Sequence, residues 1–141
     1  MKNERGFSMI ELLIVVAIVT LIAAIAIPNL RKARQSANSA SAVQSLRTIT
    51  TAQQMYRQKY QTYGTLNELA PEGTLDSSLA IGNKSSYLFT LTVTASPLGF
   101  TCDATPTEDP LNMAYYFVDE TTVIRYNIGS AATATSPPIP K

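Results

Sequence analysis

The sequence predicts an α+β protein. One long N-terminal helix, membrane-spanning in its first half and amphipathic in its second, packs on an antiparallel sheet of about four strands. Three observations carry this reading: an uncharged apolar run from Leu12 to Leu30, a helical stripe from Ala42 to Tyr63, and segments of alternating apolar and polar residues beyond Ser86. With 141 residues, there is room for one domain of ordinary size less what a membrane takes.

The run LLIVVAIVTLIAAIAIPNL, Leu12 to Leu30, holds no charge. As a helix it is roughly 28 Å long, close to the hydrocarbon thickness of a bilayer. A cleaved secretory signal is the rival reading, with Met1 to Arg5 as a basic leader and Ala23, Ala24 and Ala26 as small residues for a cleavage site. The apolar part of such a signal usually ends after about 7 to 15 residues, so the run is too long for it. Lys2 and Arg5 lie before the run and Arg31, Lys32 and Arg34 after it, so counting basic residues does not orient the span. Pro28 removes a backbone donor and disturbs the preceding turn. Because a helical pattern resumes beyond it, a kink is expected there rather than a stop.

That pattern is SAVQSLRTITTAQQMYRQKYQTYG. Ala42, Leu46, Ile49, Gln53, Tyr56, Tyr60 and Tyr63 recur at helical spacing and form one apolar stripe broken by Gln53. Residues 7–30 are thus read as the membrane segment and 31–63 as the amphipathic half of the helix, with Gly64 as its C-terminal stop. A helix over 7–63 is roughly 85 Å long, far more than a bilayer needs, so its second half is expected outside the membrane holding a globular domain.

Residues 64–127 make up that domain. Residues 64–86 read as a connecting loop with a turn of helix, since Thr65 and Glu68 have capping-box spacing and Pro71 follows. SYLFTLTVTA places Tyr87, Phe89, Leu91 and Val93 on one face, and SPLG, residues 96–99, turns the chain into FTCDA. NMAYYFVD and VIRYN form a second hairpin around Glu120, Thr121 and Thr122. The apolar face of the sheet is expected to cover the tyrosine stripe. The low-complexity end, 128–141, reads as a tail that is mobile or strapped along the surface, and Pro137, Pro138 and Pro140 argue against a closing strand.

Charge and chemistry narrow the function. The formal net charge is +1, but six bases and no acid lie between Glu11 and Glu68, and acids outnumber bases from Glu68 to Arg125. Tyrosines near Arg57 and Lys59 resemble a stacking surface for single-stranded nucleic acid, yet tyrosines on a helix stripe are far more often core, so nucleic acid is not expected as a direct ligand. The sequence has no histidine, no phosphate-binding glycine loop and no metal-ligand cluster, and its adjacent acid pairs point apart on a strand, so no enzyme activity is expected. Asp103, Glu108, Asp109, Asp119 and Glu120 fit no EF-hand spacing. No cofactor is expected; calcium on those acids is the alternative. Cys102 is the only cysteine, excludes an intrachain disulfide, and reads as a small buried hydrophobe.

The stretch GFSMIELL, residues 6–13, raises a different question, because Glu11 puts a carboxylate at the edge of the apolar run. With Gly6, Phe7, Glu11 and Pro28 in these positions, residues 6–30 resemble the N-terminus of type IV prepilins and of the related pseudopilins of type II secretion. In that family a membrane-embedded prepilin peptidase cuts after the glycine and methylates the new amino-terminus. The resemblance therefore implies a leader of residues 1–6, cleavage between Gly6 and Phe7, N-methylation of Phe7, and a pilin-like fold. It further implies single-pass storage in the bacterial inner membrane with the globular domain periplasmic and the helix in contact with lipid. An inner-membrane assembly platform then extracts the subunit into a homo-oligomeric fibre, a pilus or a periplasmic pseudopilus. A membrane-tethered domain that never polymerises is the third alternative.

Elementary chemistry agrees with those roles. Glycine offers an approaching active site no side chain. Cleavage makes a cationic amine at Phe7, and in a helix positions 7 and 11 are neighbours on one face, so Glu11 is expected to meet that amine in its own or an adjacent chain. An acid also suits the positive end of the helix dipole. The family often staples its C-terminal loop with a disulfide; with Cys102 alone, this chain departs from that pattern.

Overall fold

In a computed structural model, which describes residues 6–95 and 98–140, α1 spans Met9–Tyr60, followed by α2 at Leu66–Leu69, a 3-10 turn at Ala70–Glu72 and α3 at Ser77–Ala80. Five strands complete the chain: β1 (Asn83–Lys84), β2 (Tyr87–Ala95), β3 (Leu98–Pro106), β4 (Ala114–Asp119) and β5 (Arg125–Ile128). They form one antiparallel sheet in the order β1-β2-β3-β4-β5, so every connection is between neighbours. The fold is the pilin-like α+β arrangement of a long helix and an antiparallel sheet. Two compact units divide between Ser36 and Ala37.

In the first unit, helix runs without interruption through Pro28. Its large apolar side chains from Met9 to Leu30 are between 49% and 83% exposed. This part of the helix is long and apolar enough to cross a membrane. Its one mid-run hydroxyl, on Thr20, donates to the carbonyls of Val16 and Ala17, both at 2.9 Å, so that hydroxyl is paired within the helix.

The second unit is built on the stripe. Ala42, Leu46, Ile49 and Gln53 are all fully buried. Ala42, Leu46 and Ile49 pack with Tyr87 and Phe89 from β2, Phe100, Cys102 and Ala104 from β3, and Tyr116 and Val118 from β4. These are alternate positions on each strand, as a sheet with one covered face requires.

The structure alters the stripe at its end. Helix stops at Tyr60, not Tyr63, and Gln61 at φ 59 takes the left-handed position that Gly64 was expected to fill. Tyr60 is accordingly 46% exposed, stacked on Tyr56 and bonded to Glu72 at 3.0 Å, while Tyr63 is buried beyond the helix. Gly64 has a different task. Its carbonyl accepts from Gln53 Nε2 at 2.6 Å and its N–H donates to Gln53 Oε1 at 3.0 Å, so the polar break in the stripe is a side chain that pairs a loop backbone as a strand would.

Residues 64–86 hold more structure than a loop with one turn. Thr65 and Glu68 do form a capping box, and Asp76 caps α3 through Leu79 N–H at 2.9 Å. Ser85 and Ser86, at φ 51 and 60, make the tight turn that folds β1 onto β2 and adds a fifth strand to the expected four. The turn expected at Ser96 and Pro97 lies outside the described residues. At the far edge the tail runs along β5: Tyr126 N–H donates to Pro137 O and Ile139 N–H to Ile124 O, both at 3.0 Å. Arg125 Nη1 adds a bond to Ser136 O at 2.9 Å, and Ile139 packs on the core. The prolines limit this to an isolated bridge, Arg125 with Pro138.

Candidate processing and assembly site

The residues singled out at the N-terminus occupy the entry to α1. Gly6, Phe7 and Ser8 precede the helix, and Phe7 is 78% exposed. A Cβ built on Gly6 meets nothing within 4 Å. Nothing in the packing of the described residues requires glycine at that position. Residues 1–5 of the expected leader lie outside the described residues.

Glu11 is held by a residue that sequence reasoning passed over. Ser8 N–H donates to Glu11 Oε2 at 2.9 Å, Glu11 N–H donates to Ser8 Oγ at 3.2 Å, and Leu12 N–H reaches Ser8 O at 3.3 Å. This is a reciprocal capping box, which satisfies two of the donors that a helix start leaves without partners. Its signal was legible, since Ser8 and Glu11 stand in S-x-x-E spacing immediately before the apolar run. Among the described residues Glu11 bonds to Ser8, and no bond joins it to Phe7. In the uncleaved chain the Phe7 nitrogen is an amide, so the amine expected to meet Glu11 does not yet exist. The cap turns the carboxylate toward the N-terminal end of the helix, with Oε2 as the oxygen that accepts from Ser8 N–H.

The remaining candidates are separated in space. Asp103 lies on β3, Glu108 and Asp109 in the loop after it, and Asp119 and Glu120 at the end of β4. Asp109 accepts from Asn112 at 2.8 Å and Asp119 from Thr121. Among the described residues no three histidine, cysteine or acidic side chains gather at metal-binding distance. Cys102 is fully buried, and burial, reinforced by Asp103, pushes its thiol far up from the ordinary range, so it is inert as a nucleophile.

No curated protein and no solved structure matches the chain. Residues 1–27, the segment that holds Gly6, Phe7, Ser8 and Glu11, match the family model of the prokaryotic N-terminal methylation motif, the hallmark of type IV pilin and pseudopilin precursors.

Proposed function

We propose that this chain is the structural subunit of a type IV pilus-like fibre, released from its leader by prepilin peptidase between Gly6 and Phe7, methylated on Phe7, and polymerised through its N-terminal helix. The observation that carries the reading is the exposed helix from Met9 to Leu30. It is apolar on all sides, has one acid at its head, and lies almost wholly within the matched motif. A helix hydrophobic all round needs lipid or other helices as its solvent. Lipid meets that need in the precursor, and copies of the same helix meet it in a fibre. Pro28 lies within this packing segment, where neighbouring helices can satisfy the carbonyl it frees. The assembly platform enters as the partner that moves the helix from one environment to the other.

Intact-mass and N-terminal analysis of the chain from its native host tests the proposal. The expected product has lost Met1 to Gly6 and carries one methyl group on Phe7. A retained leader, or a cut after Ala24 or Ala26, overturns it.

A further inference from the structure

The two edges of the sheet are treated in opposite ways. An edge strand presents a row of unpaired N–H and C=O groups, which proteins usually protect with prolines, charges, bulges or a covering segment. The β5 edge is covered by the proline-bearing tail. At the other edge β1 pairs only Tyr87 and Leu88, and Phe89 N–H reaches Gly82 O at 2.7 Å. From Thr90 to Ala95, β2 then has β3 on one side and no partner strand among the described residues on the other.

In an antiparallel ladder, successive residues turn their backbone groups to opposite neighbours. Since Phe89 faces Gly82, Leu91 and Val93 face the same open side. The usual protections are missing there: the sequence from Ser85 to Cys102 holds no charge, and TLTVTA holds no proline. A recess of about 340 Å³, lined in part by Leu66, Ile81, Phe89 and Leu91, lies along this edge, with Ile81 itself 78% exposed.

We infer that the Thr90–Ala95 edge of β2 is a self-association surface that pairs antiparallel with the same edge of a second copy. The occupant follows from what the edge needs. It must offer an extended run of open backbone groups, and among the described strands of this chain β2 alone does so, because β5 is covered and β1 has two residues. Centred on Thr92, the self-pairing sets Leu91 opposite Val93, the two residues whose backbone groups face outward. It sets Thr90 opposite Thr94 and Thr92 opposite itself on the other face, with no like charges meeting. Such a contact is isologous and closes at two copies. It is therefore separate from fibre growth through the helix, joins copies side by side, and does not rest on the function proposed above.

Disulfide trapping of the full chain in detergent micelles tests this. Thr92 meets its counterpart at a position without mutual hydrogen bonds, where Cα atoms are about 4.5 Å apart and a disulfide fits. The buried Cys102 does not compete for oxidant. T92C should give several-fold more cross-linked dimer than T107C, a control on the exposed loop after β3 that shares any association through the helix. Adding V93P removes an outward donor without touching the β3 ladder and should return T92C to the control level. Adding T90K and T94K should do the same by repulsion, and mixing those copies with copies carrying T90E and T94E should restore the dimer. Equal trapping of T92C and T107C, or no restoration on mixing, overturns the inference; the first result would leave a different extended peptide as the occupant.

Discussion

One helix passes through two environments, and its two parts solve the problem of apolar surface differently. From Met9 to Leu30 the apolar residues point in every direction and all the large ones stay exposed within the chain. From Ala42 to Gln53 they keep to one face, and that face is fully covered by the chain's own sheet. Helix propensity does not separate the two, since both are helical. Periodicity does: an apolar surface all round must be covered from outside the chain, whereas a stripe can be covered from within it.

The largest expected effect on this contrast comes from Glu11. Glu11→Ala removes the carboxylate expected to meet the Phe7 amine. The yield of sheared fibres, normalised to processed protein, should collapse, while the melting temperature of the globular domain stays put. Glu11→Gln keeps the shape and some hydrogen bonding and should lie between alanine and the parent. Because Glu11 is also half of a capping box, Ser8→Ala is the necessary companion. It loses the hydroxyl side of the cap, about 0.5–2 kcal/mol, but keeps the acid, and should still make fibres. Loss of fibres with Ser8→Ala equal to that with Glu11→Ala would assign the whole effect to the cap and remove the intersubunit role.

A smaller effect is expected from matched truncations in the two parts of the helix. Leu46→Ala empties a fully buried position and should destabilise the domain by about 2–5 kcal/mol in denaturant unfolding. Ile18→Ala deletes a comparable side chain that is 53% exposed and should leave that unfolding curve unchanged. Its effect is expected on the stability of the proposed fibre. A shift of the domain's midpoint by Ile18→Ala would mean that the apolar half is not independent of the domain's own core.

How much of this could be read from the residues follows the same division. The apolar run, the buried part of the stripe and the alternation in β2 were legible because burial imposes a period on sequence, 3.6 or 2. The helix end was misplaced because Tyr60 and Tyr63 keep the period, although only Tyr63 is buried; nothing in the spacing reveals that Gln61 reverses the chain. The serine turn at Ser85 and Ser86 was missed because left-handed turns usually announce themselves through Asn or Gly. Gln53 looked like a flaw, since a side chain bonding a backbone 11 residues away leaves no periodic trace. At the candidate site, Gly6, Phe7 and Glu11 carried a motif, and Ser8 carried a spacing that was present but overshadowed by it.

The smallest effect sharpens the comparison within the domain, between two aspartates whose surroundings act with opposite sign. Asp76 is exposed, and its carboxyl is held below the usual carboxylate range by the Lys84 ammonium first and the Leu79 N–H second. A lowered folded value means that its contribution is present above the unfolded carboxylate range, near 4, and is lost as pH falls through the folded value. Asp103 lies on β3 between Cys102 and Ala104, on the opposite face, where partial burial alone raises its carboxyl. Its folded value exceeds the unfolded one, so its charge costs stability above the folded value, and this cost fades as pH falls through that value toward the unfolded range. Asp76→Asn should therefore lower the domain's melting temperature at pH 7, by the equivalent of about 0.2–1 kcal/mol expected for an exposed pair, and remove part of the loss seen below pH 4. Asp103→Asn should do the reverse at pH 7, raising the melting temperature slightly and matching the parent once acid has neutralised Asp103 in both states. Thermal melts of the two variants and the parent from pH 7 down to pH 3 separate these outcomes. A drop in stability at neutral pH with Asp103→Asn would show that its carboxylate is held by a partner and is not merely tolerated on a half-covered strand.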